Sequence, residues 1–93
     1  MELTRLLVAN LSRFTSEDEL RETFAQHGRV SSVKLVLDQA GQRRGFGFVE
    51  YETAEAAEGG LLALNGSMLH GRMLFVNVAR TPVPVDSPDR DLP

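Results

Sequence analysis

The stretch Arg44-Gly45-Phe46-Gly47-Phe48-Val49-Glu50-Tyr51 decides how the rest of the chain is read. If these residues form one strand, successive side chains alternate between its two faces. Phe46, Phe48 and Glu50 then point one way, and Gly45, Gly47, Val49 and Tyr51 the other. A face that carries a glutamate is a poor core, because burying an unpaired carboxylate carries a large desolvation cost. The two phenylalanines are therefore expected on display. Displayed apolar rings mark a binding surface, and rings preceded by an arginine suit base stacking beside a phosphate.

Outward from this octamer, the flanking segments alternate between strand and helix patterns. Residues 30–38 place Val33, Leu35 and Leu37 on one side and Lys34 and Val36 on the other, as a strand does. The polar link from Asp38 to Arg43, with Gly41, joins it to the octamer as a hairpin. Before it, Ser16 with Glu19 three residues later is a capping-box pattern, Leu20 and Phe24 share a helical face, and Gly28 is a stop signal. A helix over about 17–27 follows.

Residues 5–11 are a short apolar run, read as a first strand from its context. After the octamer, Thr53 can cap a second helix with Ala57, Leu61 and Leu64 on one face, ended by Asn65-Gly66. Gly59 and Gly60 each cost a helix about 1 kcal/mol relative to alanine, unless they permit close approach to the sheet. Residues 73–79 alternate as a final strand, with Leu74, Val76 and Val78 opposite Met73, Phe75 and Asn77. From Thr81 on, Pro82, Pro84 and Pro88 among acidic residues leave little to pack.

The order β-α-β-β-α-β predicts an α+β, ferredoxin-like split β-α-β sandwich: a four-stranded antiparallel sheet with two helices on one face. The expected division is a domain over 1–80 and a Pro/Asp-rich flexible tail over 81–93. Arg5, Lys34, Glu50 and Asn77 mark the open face, where Leu7, Val36, Phe46, Phe48, Met73 and Phe75 join them. Leu6, Val8, Val33, Leu35, Val49, Tyr51, Leu74 and Val76 face Leu20, Phe24, Ala57, Leu61 and Leu64 beneath.

At 93 residues with no cysteine, the chain has room for one modest core and none for disulfides or thiolate chemistry. No long apolar run suggests a signal peptide or membrane span, so an intracellular, cytoplasmic setting is expected, nuclear if eukaryotic. The net charge is −3, yet residues 1–80 hold nine basic against ten acidic side chains, so that part is nearly neutral. Glu17, Asp18, Glu19 and Glu22 fall on the first helix, and Glu52, Glu55 and Glu58 at or near the second. A moderately basic sheet surface can coexist with that total. His27 and His70 form no triad or metal cluster, so neither catalysis nor a metal or other cofactor is expected. Asp86, Asp89 and Asp91 could fold back over Arg43, Arg44 or Arg80; a solvated tail is the simpler expectation.

These residues closely resemble the RNA-recognition motif family. The octamer Arg44 to Tyr51 matches the family pattern at every position. Leu6-Leu7-Val8-Ala9-Asn10-Leu11 is similar to the family's hexamer, and Leu64-Asn65-Gly66 and Gly71-Arg72 agree further. The resemblance covers about residues 4–80. It implies single-stranded RNA binding, with single-stranded DNA possible, through the open sheet: Phe48 stacking a base, Phe46 meeting sugars or a second base, and Arg44 pairing with phosphate. Leu7 stands where the family offers another ring, and Ala9 where it has glycine. Phe75, Lys34, Arg43, Asn77, Arg80 and Arg5 are the supporting candidates. The competing expectation is a protein-interaction module using the sheet or helical face, or weak self-association through the uncovered sheet.

Overall fold

In the computed structural model, residues 3–79 are described; in chain order they form β1 (Arg5–Ala9), α1 (Glu17–Ala25), β2 (Val30–Leu37), β3 (Arg43–Tyr51), α2 (Ala54–Leu64), β4 (Met68–Leu69), β5 (Arg72–Met73) and β6 (Phe75–Val78). Four strands build one antiparallel sheet in the order β2-β3-β1-β6, and β4 with β5 makes a separate two-stranded ribbon. Arg80 and the segment 81–93 lie outside the described residues.

Local chemistry sets each helix. The Ser16 hydroxyl accepts from the Glu19 amide, and the Glu19 carboxylate accepts from the Ser16 amide, so both halves of the capping box form. Leu20 and Phe24 are sealed inside. The helix stops at Ala25, short of the expected 27, because the His27 amide donates to the Phe24 carbonyl in a tighter final turn. Thr53 caps α2 by accepting from the Ala56 amide. The core beneath the sheet holds Leu6, Val8, Leu35, Val49, Tyr51, Leu74 and Val76 against Leu20, Phe24, Ala57 and Leu64. Leu11 and Thr15, not expected there, are buried as well.

Gly59 and Gly60 divide the two roles that sequence left open. A Cβ on Gly60 would overlap the Tyr51 hydroxyl and lie 2.8 Å from two carbons of its ring, whereas one on Gly59 would meet nothing nearer than the His27 carbonyl at 3.9 Å. The Tyr51 ring cannot retreat, being 1% exposed and tied by its hydroxyl to the Phe24 carbonyl at 2.6 Å. Gly60→Ala is therefore expected to destabilise by about 1–3 kcal/mol. Gly59→Ala, free of any clash, should stabilise by about 0.5–1 kcal/mol. Urea unfolding of the two variants checks the opposite signs.

Three expectations are corrected. The first strand ends at Ala9, not residue 11, because Asn10 turns left-handed at φ 65°. Asparagine tolerates that conformation better than most residues. Leu37 does not share the buried side with Leu35: a register shift between them leaves Leu37 52% exposed. The final strand is not continuous over 73–79. Met73 pairs with Met68 in the ribbon, the turn at His70 and Gly71 has φ of 54° and 75°, and only Phe75–Val78 joins the sheet. Positive φ at both central residues is what a two-residue type I′ hairpin demands.

The ribbon also gives His70 a partner. Its Nε2 lies 2.6 Å from the Glu19 carboxylate, tying the ribbon to α1. That contact first, and the Ser16 amide with it, hold the Glu19 carboxyl below its ordinary 4.5 against a smaller opposing desolvation. A carboxyl with a depressed folded pKa stabilises the fold above its unfolded value, and the contribution is lost as pH falls through the folded value. The stability gap between wild type and Glu19→Gln should close as pH falls below about 4.5. Paired thermal melts along a pH series check it.

Candidate nucleic-acid interface

The registers lay the open face out as rows across the strands. One row runs Lys34, Phe48, Leu7, Asn77, and the next runs Phe46, Ala9, Phe75. Behind them Ser32, Glu50 and Arg5 form a third. Both helices lie on the other side, so this surface is uncovered by the described chain. Phe46 and Phe48 are half-buried, their rings edge to face with centroids 6.3 Å apart and planes at 80°. Phe75 is 58% exposed, and Lys34 and Asn77 are also exposed.

The backbone explains the display. Gly47 brings β3 so close to β2 that a Cβ would sit 2.5 Å from the Lys34 carbonyl oxygen. Gly45 is left-handed at φ 86°, and its carbonyl accepts from the Leu11 amide at 2.8 Å, linking the start of β3 to the end of β1. Arg44 is exposed immediately before this kink, and Arg43 begins β3 opposite Leu37.

Glu50 does lie on the open face, and its two oxygens are both engaged. Arg5 donates to one at 3.0 Å and the Thr4 hydroxyl to the other at 3.0 Å. Arg5 is thus placed in the expected row but held by an acid, whereas Lys34 stands beside Phe48. The acids of the helices, including Glu17, Asp18, Glu22, Glu55 and Glu58, are exposed away from this surface. Glu17 is not simply a solvated charge, because its carboxylate accepts from the Leu35 amide on the outer edge of β2 at 3.2 Å.

Sequence reading passed over one feature. Asn10 donates from Nδ2 to the Met73 carbonyl at 2.6 Å, while Arg72 donates from Nε to the Asn10 carbonyl at 3.2 Å and from Nη2 to Asn10 Oδ1. A cleft of about 480 Å³ opens here, lined in part by Leu7, Ala9, Asn10, Arg44, Phe46 and Arg72. The signals were present: an asparagine able to turn left-handed after an apolar run, and an arginine following a turn glycine. Among the described residues, no group of three or more acidic or histidine side chains could hold a metal ion, and no helix is long and apolar enough to cross a membrane.

Known proteins share this fold. Organelle RRM domain-containing protein 6, chloroplastic, of Arabidopsis thaliana is 40% identical over 97% of the chain, which spans 51% of that relative. The chain spans between 13% and 26% of four further curated relatives. The crystal structure of RNA Binding Protein PG1 superposes with a TM-score of 0.81 at 32% identity, over 85% of this chain and 96% of that one. An Sxl-lethal protein/RNA complex superposes with a TM-score of 0.81 at 25% identity, over 86% of this chain and 48% of that one. The model of the RNA recognition motif accounts for residues 6–74, and with most of its length so matched the chain belongs to that family.

Proposed function

We propose that the open sheet face binds single-stranded RNA, as a binding module and not a catalyst. The observation that carries this reading is the pair of half-buried rings at 46 and 48 on the surface that neither helix covers. A base stacks on Phe48, Phe46 meets the neighbouring sugar or a second base, and Arg44 pairs with phosphate. Lys34 and Asn77 flank the stacking row, with Phe75 on the edge strand; Arg43 and Arg80 remain further basic candidates. Leu7 supplies an aliphatic contact in place of a ring. Arg5 is the weakest member, since it must exchange Glu50 for a phosphate. The RNA complex among the structural neighbours supports RNA as the ligand.

Two rings and a few phosphate contacts correspond to roughly micromolar affinity that falls as salt rises. Titration of short RNA against wild type, Phe46→Ala and Phe48→Ala tests this. Each variant should lose about 1–3 kcal/mol of binding. Equal binding by all three proteins sinks the proposal, and equal binding of the matching DNA would widen it to single strands generally.

A second reading is favoured by the apolar exposure of Phe75 and Met73, at 58% and 48%. Such a surface also suits a protein partner or a second copy of the chain. The organellar name of the Arabidopsis relative adds a plastid to the expected cytoplasmic or nuclear settings.

A further inference from the structure

The cleft beside Phe46 has a construction that general affinity for a strand does not require. Arg72 is held against Asn10 through Nε and Nη2, and Asn10 is in turn held by the Met73 carbonyl. Both bonds use one side of the planar guanidinium. The fork carries five N–H donors in fixed directions, so its Nη1 and Nη2 end still presents two parallel donors. Two parallel donors select two adjacent acceptors.

A phosphate offers such a pair, but it has no use for the apolar lining of Leu7, Ala9 and Phe46. Exposed Arg44, on the same cleft, already suits the phosphate. The lining fits the face of a base, and the bases differ in what their edges show. Adenine sets a donor next to N7, whereas guanine sets O6 next to N7 as two acceptors. Uracil places an N–H beside each carbonyl. Cytosine has an acceptor pair in N3 and O2, but O2 adjoins the glycosidic bond, where the sugar crowds a rigidly held guanidinium. Guanine's pair faces away from its sugar.

The geometry points to this cleft as a guanine site: the base lies against Leu7 and Phe46, Arg72 reads O6 and N7, and Arg44 takes the adjoining phosphate. This rests on the RNA-binding reading of the face and adds a base preference to it.

The experiment uses oligouridine with one central position varied among guanosine, 7-deazaguanosine, adenosine and cytidine, titrated against the full chain and Arg72→Lys. The 7-deaza base keeps its stacking surface and loses only the N7 acceptor. Wild type should bind the guanosine oligomer at least about fivefold tighter than the 7-deaza one. Arg72→Lys, which keeps the charge but not the fork, should bring that ratio close to one. Equal wild-type affinity for guanosine and 7-deazaguanosine, tighter binding of cytidine, or a ratio preserved in Arg72→Lys overturns the guanine assignment. The first two readouts need no variant, so they stand even if Arg72→Lys folds poorly. If no oligomer binds, or Phe46→Ala and Phe48→Ala bind every oligomer as wild type does, the RNA-binding reading itself fails.

Discussion

The variant carrying both Phe46→Ala and Phe48→Ala should lose single-stranded RNA binding by about 1.5–4.5 kcal/mol, at least about tenfold. The estimate takes two stacking platforms at their usual worth, less what they share. They are not independent, however, because the rings meet edge to face at 6.3 Å. Removing either one forfeits its own contact with the nucleotide and also the support it gives the other. The shared contribution is counted in both single variants but only once in the double. The summed single losses should therefore exceed the double loss by about 0.5–1.5 kcal/mol, the worth of an aromatic pair. Anisotropy titrations of the four proteins at one salt concentration close the cycle. Neither ring is sealed in the core, so urea midpoints should move little, and a double variant that binds RNA like wild type would remove the base-stacking mechanism.

Phe24→Ala should cost about 3–5 kcal/mol of folding stability. The side chain is fully buried, and its ring lies 6.4 Å from that of Tyr51 at 47°. Its backbone carbonyl also accepts the Tyr51 hydroxyl at 2.6 Å. The mutation leaves that hydrogen bond in place and removes the packing around it, so the void opens between α1 and β3, under the strand that carries the binding rings. Burial pushes the Tyr51 hydroxyl up to about 12, so the phenol keeps its proton for the Phe24 carbonyl well above neutral pH. For a domain whose total stability is on the order of 5–15 kcal/mol, the loss is a large share. Urea unfolding with an unchanged slope and a lowered midpoint is the expected record. A change below about 1 kcal/mol would mean that α1 collapses onto the gap, contrary to a close-packed interior.

Local patterns made most of the scaffold readable. The Ser16 and Glu19 pair starts α1 where expected, Thr53 starts α2, and alternation about Glu50 places Phe46 and Phe48 on the open face. These features depend on neighbours within a few residues, which a linear pattern records. The errors cluster where distant segments meet. Period-2 alternation across 73–79 hid a break at Leu74, because a hairpin and a strand share that period and only pairing partners distinguish them. Leu37 looked equivalent to Leu35 until the register shift in the β2–β3 ladder turned it outward.

The candidate site divides along the same line. Phe46, Phe48, Lys34 and Asn77 were assigned to the open face from strand alternation, since a side chain's face follows from its own position, and Arg44 from its place in the family octamer. The Asn10–Arg72 link was not, because it joins residues 62 apart in the chain. The sequence by itself determined the order of the two helices and the four sheet strands, the layer beneath the sheet and the side on which the rings stand, for each is encoded by periodicity and caps. Only the tertiary structure decided that Gly60 makes room for Tyr51, that Arg5 is held by Glu50 and that Arg72 is aimed by Asn10. Such pairings depend on how separate elements approach, and no local pattern carries that distance.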